Sequence, residues 1–197
     1  VTDAELVALA RQGDRQAFGE LVTRHQSAVY RAALAAVGSP AEAEDAAQDA
    51  FISAYRRLGS FRGDASFKTW LLTIAWNHAM NRRRGIQRWL NRSAPGGRWW
   101  GTRDGEIPDG TADLPSDAPS PEQAAADAEL RRDISHEIRA LSPKLRDALL
   151  LAQSGEYTYE EIAAMLGTAD GTIKWRVSEA RRVLKRRLRE RGYADVG

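Results

Sequence analysis

The stretch TYEEIAAMLGTADGTIKWRVSEARR, residues 158–182, decides how the rest of the chain is read. Thr158–Tyr159–Glu160–Glu161 has the form of a capping box, in which a hydroxyl and a carboxylate three residues apart satisfy backbone N–H groups at a helix start. Ile162, Ala163 and Leu166 mark a short amphipathic helix behind it, and Gly167 to Gly171 reads as a turn. The next helix keeps Ile173, Val177, Ala180, Leu184 and Leu188 on one side. A short helix, a tight turn and a basic helix form a helix-turn-helix. Its first helix crosses the phosphate backbone and its second lies in the major groove. With Ile173 and Val177 turned inward, Thr172, Lys174, Trp175, Arg176, Ser178 and Glu179 face outward or lie at the flank. Arg181, Arg182, Lys185 and Arg186 continue the helix toward phosphates. Residues 172–191 hold nine Lys and Arg against Glu179 and Glu190. The duller alternative is a helical hairpin with a solvated basic face.

Working outward, the chain reads as further helices. Ser142–Pro143 opens one with Leu145, Leu149 and Ala152, closed by Gly155, and Glu122 to Ala140 reads as another through Ala125, Leu130, Ile134 and Ile138. Near the start, Thr2 to Glu5 is a second capping box, and Gly13–Asp14 breaks the helix it opens. Phe18, Leu21, Val22, His25, Val29, Ala33 and Val37 then recur at three- and four-residue steps. Ser39–Pro40 supplies a cap and a first-turn proline for a helix carrying Ala43, Ala46, Ala47, Ala50, Phe51, Ala54 and Leu58, with Gly59 at its end. A last stripe runs from Phe67 through Trp70, Leu71, Ile74, Ala75 and His78 to Arg82–Arg83–Arg84. No strand-like alternation of useful length and no internal repeat is found. The expected fold is all-α, two small helical domains (1–84 and 122–197) joined by a flexible Pro- and Gly-rich linker over 85–121.

Charge and composition narrow the chemistry. The 197 residues carry a formal charge of only +2, which hides an asymmetry. Residues 82–103 hold seven Arg and no acid, whereas 104–122 hold six acids and no base. Basic clusters of this kind attract polyanions. Without a Cys, disulfides, thiolate nucleophiles and Cys-based zinc sites are excluded. His25, His78 and His136 are scattered and fit no metal motif, so neither a metal nor another cofactor is expected. No apolar run long enough to span a bilayer is present and no signal peptide is read, so a reduced, cytoplasmic setting without membrane insertion is expected. Trp89, Trp99 and Trp100 are unusual for a plain spacer, and the sequence assigns them no role.

The run Asp45–Ala–Ala–Gln48–Asp49–Ala–Phe51–Ile–Ser–Ala–Tyr55–Arg56 precedes Phe61–Arg62–Gly63–Asp64–Ala–Ser66–Phe67–Lys68–Thr69–Trp70–Leu71, then Ile74–Ala75–Trp76–Asn77 and Asn81–Arg82–Arg83–Arg84. These blocks resemble region 2 of the extracytoplasmic-function (group IV) sigma factors of bacterial RNA polymerase. The last 55 residues resemble their region 4, through Leu141–Ser–Pro–Lys–Leu–Arg146, Tyr159–Glu–Glu–Ile–Ala163 and Gly171–Thr–Ile–Lys–Trp–Arg176. Two matching blocks in order are more specific than either alone, and they cover nearly the whole chain outside the linker.

The resemblance implies a non-catalytic initiation factor, without a small-molecule substrate, that binds core polymerase and gives it promoter specificity. Its core contacts would be a coiled coil of the β′ subunit and the β flap. Asp45, Gln48, Asp49, Tyr55 and Arg56 are then the core-binding candidates. A solvated helix face, or an acid pair for catalysis or metal, is the competing reading of Asp45 and Asp49, although no His or third carboxylate completes such a site. The −10 element would be held as a single strand with a flipped base, which requires stacking and hydrogen bonds to offset unstacking. Phe61 fits the stacking wall and Asn77 a base edge, while Arg62, Lys68, Arg82, Arg83 and Arg84 suit phosphates. Phe67, Trp70 and Leu71 are expected in the core, and Trp76 is left partly exposed with its role open. Region 4 would read duplex −35 DNA through Thr172, Lys174, Trp175, Arg176, Ser178, Glu179, Arg181 and Arg182. Trp175 and Glu179 depart from the family's usual small and basic residues. A Trp suits a thymine methyl and a Glu a cytosine amino group. The acidic linker would imitate nucleic acid within the polymerase, and an anti-sigma factor would mask both domains. The competing classes are a dimeric operator-binding regulator and a DNA enzyme; the second needs a nucleophile or metal cluster that the sequence does not display.

Overall fold

The computed structural model describes residues 1–93 and 121–193, with side chains from 1–92 and 127–193. Among the described residues there are helices and turns and no strand. The chain runs α1 (Asp3–Arg11), α2 (Arg15–Val37), α3 (Pro40–Arg56), a 3-10 turn (Leu58–Ser60), α4 (Phe67–Ser93), α5 (Pro121–Ala140), α6 (Pro143–Gln153), α7 (Tyr159–Leu166) and α8 (Asp170–Glu190).

Local chemistry sets most of these boundaries. At α1 the Glu5 amide donates to Thr2 Oγ1 (3.3 Å) and the Thr2 amide to Glu5 Oε2 (2.7 Å), completing the capping box. The same backbone bond holds the Glu5 carboxyl below its ordinary range. Asp14 caps α2 by accepting from the amides of Gln16 (2.8 Å) and Ala17 (3.1 Å). The helix ends at Gly38, whose φ of 68° is a left-handed conformation that glycine adopts without a Cβ clash. Thr158 and Glu161 form the second capping box, and Gly167, at φ 61°, ends α7.

Several boundaries differ from the sequence reading. Ser39 and Ser142 stand at the expected cap positions but make no side-chain cap bond; Pro40 and Pro143 carry those starts through their preset φ. Gly59 lies within the 3-10 turn, after α3 has ended at Arg56. Gly171 lies inside α8, which starts at Asp170, so the turn is shorter than 167–171. Helix α4 continues past Arg84 and through Gly85 to Ser93. One glycine costs a helix only about 1 kcal/mol, and half-buried Ile86 and Leu90 extend the packed face.

Helices α2, α3 and α4 pack against one another, with α1 laid on α2. Small side chains set the closeness of α3: Ala43, Ala46, Ala47, Ala50 and Ala54 are all buried. Leu21, Val29, Leu71 and Leu72 fill the centre. Burial of each such Leu is worth about 1.5–3 kcal/mol. Trp76 is also in this core, at 4% exposure, which corrects the expectation that it is partly exposed. It falls on the inward stripe of α4 with Leu72 and Ala79, so helical geometry decides its environment.

In the C-terminal part, α6, α7 and α8 surround Leu149, Leu151, Ile162, Ile173 and Val177, and α5 packs along α8. Glu137 of α5 is buried and accepts from Arg187 (3.4 Å) and Arg191 (2.8 Å). The two halves are packed together: α7 lies against α4 and α6 against α2, and the buried apolar side chains form one connected set from Leu6 to Ala180.

Candidate nucleic-acid interface

Three groups of side chains carry the functional expectations, and the fold treats them differently. On α8, Ile173, Val177 and Ala180 face α6 and α7 and are buried. The opposite face is presented outward. Lys174, Ser178, Arg181 and Arg182 are exposed, Thr172, Arg176 and Glu179 are half-buried, and Trp175 is 62% exposed. Among the described residues most of this tryptophan is uncovered, and its ring is available to a partner. Lys174 pairs with Asp170 one turn back (3.1 Å). Glu179 accepts from both Arg182 Nε (2.8 Å) and Nη2 (2.7 Å). Those bonds hold the Glu179 carboxyl below its ordinary range and the Arg182 guanidinium above its own. Glu179 is thus already occupied, so a cytosine amino group would have to displace Arg182.

The second group lies on α3. Its Ala stripe points to the core, which leaves Asp45, Gln48, Asp49, Tyr55 and Arg56 exposed on the other side. Tyr55 packs edge-on against Phe18 at 4.9 Å between centroids. Two residues of this face were missed in the sequence. Ile52 is a large apolar side chain exposed between Gln48 and Tyr55. Glu42 continues the acid face one turn earlier, and its spacing of three from Asp45 and seven from Asp49 was the available signal.

The third group, the strand-contact set, is divided. Asn77, Arg62 and Arg84 are exposed, and Arg84 donates to Asn81 Oδ1 (2.5 Å). Phe61 is half-buried, with ring centroids 5.9 Å from Phe67 and 5.2 Å from Trp70. Arg11 lies over the same ring at 5.9 Å and donates to the carbonyls of Phe61 and Leu58. The Phe61 loop is therefore braced by the core. Arg82 crosses to α3 and donates to Glu42 (3.0 Å), Asp45 and Asp49 (3.3 Å). Burial pulls its pKa down, but the bonds to Asp45 and Glu42 outweigh burial and raise it. The acid face and the Arg run thus meet at one side chain.

Lys68 and Arg83 turn toward the C-terminal half. Arg83 Nη1 and Nη2 donate to Asp147 Oδ1 (2.8 Å) and Oδ2 (3.0 Å), and Nη1 also to the Ala36 carbonyl (3.2 Å). The two side chains are only 11% and 8% exposed. Lys68 Nζ donates to the Glu156 carbonyl (2.9 Å) and to Glu161 Oε2 (3.2 Å). Beside them, Tyr157 Oη donates to the Ala28 carbonyl (2.5 Å), and Arg31 pairs with Glu156 (2.6 Å).

Beyond the −10 set, the end of α4 exposes Arg88, Arg92 and Trp89, the last at 58%. Trp99, Trp100 and the acidic run 104–120 lie outside the described residues. Among the described residues, no group of three or more His, Cys, Asp or Glu is arranged to hold a metal, and no helix is long and apolar enough to cross a membrane.

Comparison with known proteins bears on the same surfaces. Residues 21–89 match the family model for Sigma-70 region 2, and residues 131–184 match that for Sigma-70, region 4. The chain is 36% identical over 186 residues to the RNA polymerase sigma-H factor of Pseudomonas aeruginosa, covering 94% of this chain and 93% of that protein. It is 34% identical over 191 residues to the ECF RNA polymerase sigma-E factor of Escherichia coli, with 95% of each covered. Among solved structures, CnrH in complex with the cytosolic domain of CnrY superposes with a TM-score of 0.62 at 26% identity, over 95% of this chain and 97% of that one. The sigma factor RpoE of Bartonella quintana, solved with the anti-sigma factor NepR, gives 0.60 at 27% identity, over 87% and 96%.

Proposed function

Because the chain belongs to the sigma-70 family, as an extracytoplasmic-function type RNA polymerase sigma factor, we propose that it docks on core polymerase through α3 and grips one promoter at two places. Sigma factors are non-catalytic factors of transcription initiation. Here the −35 duplex is read by α8, with Thr172, Trp175 and Arg176 toward base edges and Lys174, Arg181 and Arg182 toward phosphates. The −10 element is held as a single strand beside the Phe61 loop, with Asn77 on a base edge and the α4 cations on the backbone. Core polymerase is held by the acid-rich face of Asp45, Gln48, Asp49, Tyr55 and Arg56, to which Glu42 and Ile52 are added. On this reading residues 1–84 form the polymerase and −10 domain, 85–121 the linker and 122–197 the −35 domain. The work is done in the cytoplasm, and an anti-sigma protein is the expected regulator, as the Bartonella quintana relative was solved in complex with an anti-sigma factor.

One observation carries the proposal. The helix-turn-helix leaves a tryptophan and a row of cations open on α8, while a separate, acid-rich face with an exposed Ile52 stays open on α3. A dimeric operator-binding regulator would use the second surface to pair with its own copy, and dependence on core enzyme separates that use from polymerase docking. Run-off transcription on genomic fragments, with purified core enzyme and with or without this chain, tests it. Transcripts that need both components are expected, and their absence from all fragments overturns the reading. Replacing Asp45 and Asp49 by Ala should remove those transcripts together with co-elution with core enzyme.

A further inference from the structure

We propose that Glu179 is a positioning residue of the duplex-reading helix: it takes one edge of the Arg182 guanidinium, so that Arg182 meets a single backbone phosphate from one direction, and the pair sharpens discrimination between duplexes while lowering affinity for all of them. The inference rests on the reading of α8 as the helix that binds −35 duplex. It goes beyond it by giving Glu179 a role through Arg182 in place of a base contact of its own.

Helical geometry places the pair. Trp175, Glu179, Arg182 and Arg186 are spaced four, three and four residues apart, which puts them on one stripe of α8. Ile173, Val177 and Ala180 are buried on the opposite stripe. Arg182 stands seven residues, about 10 Å along the axis, beyond Trp175. The early residues of a helix in the groove reach base edges, which leaves Arg182 to the backbone. Its Nε and Nη2 donate to the two oxygens of Glu179 at 2.8 and 2.7 Å. A guanidinium carries five N–H groups in a rigid plane. The fork uses two of them and leaves the Nη1 edge, on a side chain 64% exposed, for one outside acceptor. Lys174 and Asp170, by contrast, meet at a single contact (3.1 Å), about which an ammonium still turns. An exposed ion pair adds little to stability, so the fork contributes direction more than folding energy. The brace acts on affinity and on discrimination with opposite signs. Glu179 brings an anion to a polyanion and cancels the charge of Arg182, which weakens attraction to any duplex. A guanidinium that turns freely finds a phosphate in any register. A braced one finds it only where α8 lies correctly, so the loss is smallest on the matched sequence.

The test uses the complex of the full chain with core polymerase, a duplex that this complex enriches from a randomised pool, and a scrambled duplex of equal length. Competition binding is followed across salt concentrations for wild type, Glu179→Gln, Arg182→Lys, Arg182→Ala and Glu179→Gln/Arg182→Ala. Glu179→Gln should bind the scrambled duplex about threefold more tightly, with a salt slope steeper by about one. Its preference for the enriched over the scrambled duplex should fall about fivefold. Arg182→Lys keeps the charge without the fork and should lower that preference by a similar factor. With Arg182→Ala already in place, Glu179→Gln should leave the preference unchanged, because the carboxylate acts through the guanidinium. Single methylphosphonate replacements along the enriched duplex give a readout that a merely structural role does not move. Wild type should lose affinity at one phosphate whose replacement has no effect in Arg182→Ala. An undiminished preference in Glu179→Gln overturns the proposal, and so does the absence of such a phosphate. An equal fall in preference with Arg182 removed also overturns it, since that is what direct base reading by Glu179 produces. If no duplex is enriched from the pool, the reading of α8 fails and the positioning role with it. If wild type discriminates and Glu179→Gln discriminates equally well, only the positioning role fails.

Discussion

Replacing Trp175 by Ala separates what α8 does for the fold from what it does for DNA. The side chain is 62% exposed, and the inward positions Ile173 and Val177 on either side of it carry the packing. Of the roughly 200 Å² that a Trp can bury, about 125 Å² is therefore still free. Complete cover of that area by a partner is worth about 3 kcal/mol at ~25 cal/mol/Å². A thymine methyl and its sugar cover about half, which gives ~1.5 kcal/mol and close to a tenfold change in affinity. Stability should change by no more than ~0.5 kcal/mol, as for other surface substitutions. The assay is competition binding of the complex with core polymerase to duplexes selected by wild type from a randomised pool, beside urea unfolding of the free chain. Selection should also lose its preference at one base position in the variant. A drop in stability of ~2 kcal/mol or more, or unchanged affinity and unchanged selection, refutes the placement of Trp175 at the duplex.

Other substitutions probe the remaining surfaces. Asp45→Ala/Asp49→Ala should weaken association with core polymerase at least about tenfold, measured by co-elution, while moving urea stability by less than ~1 kcal/mol, since these carboxylates are largely exposed. Leu72→Ala empties a fully buried site and should cost about 3 kcal/mol in urea unfolding. For Tyr157, burial raises the phenol's pKa, and the neighbouring Glu156 adds to it. A raised pKa means the docked state loses stability once the freed phenol can ionise. Docking should hold at neutral pH and weaken above about pH 10, the ordinary tyrosine value. Energy transfer between dyes on the two halves follows this, and Tyr157→Phe should reduce the alkaline loss.

The sequence showed the helices because their signals are local. The two capping boxes, the break at Gly13–Asp14 and the turn opened by Gly167 act on residues within one turn, and each stands at a helix boundary in the structure. The all-α class and the helix-turn-helix followed from the same local periodicity. Ser39 shows the limit: a cap residue before a proline has the right identity, yet its hydroxyl makes no bond to the first turn. Trp76 lies one turn beyond Leu72 on the packed stripe, and its place next to the exposed Asn77 in the sequence says nothing of the face it occupies. The pairings of Lys68, Arg82 and Arg83 had no local signal. Arg82 meets acids 33 to 40 residues away, Arg83 an aspartate 64 away and Lys68 a glutamate 93 away. Charge counted along the chain reports what a segment can attract, and only the tertiary fold reports what has already been attracted.

That distinction changes how a basic segment is interpreted. Residues 82–84 are three consecutive arginines, equal by composition, but helical geometry sends them in three directions 100° apart. Arg82 joins the acid face of α3, Arg83 is buried against Asp147, and Arg84 stays in solvent. A polyanion arriving at this helix finds one free cation among the three and two that must first leave carboxylates. The same applies to the acids: Asp45 and Asp49 can meet a cationic partner only by sharing or releasing Arg82. On the proposed function, polymerase docking on α3 and strand binding on α4 would therefore draw on one guanidinium. Loss of Arg82 would remove a strand cation and unmask three carboxylates at once. Its substitution cannot be assigned to either surface by a DNA-binding assay alone. A double-mutant cycle between Arg82 and Asp45, measured once for core association and once for strand binding, separates the two effects.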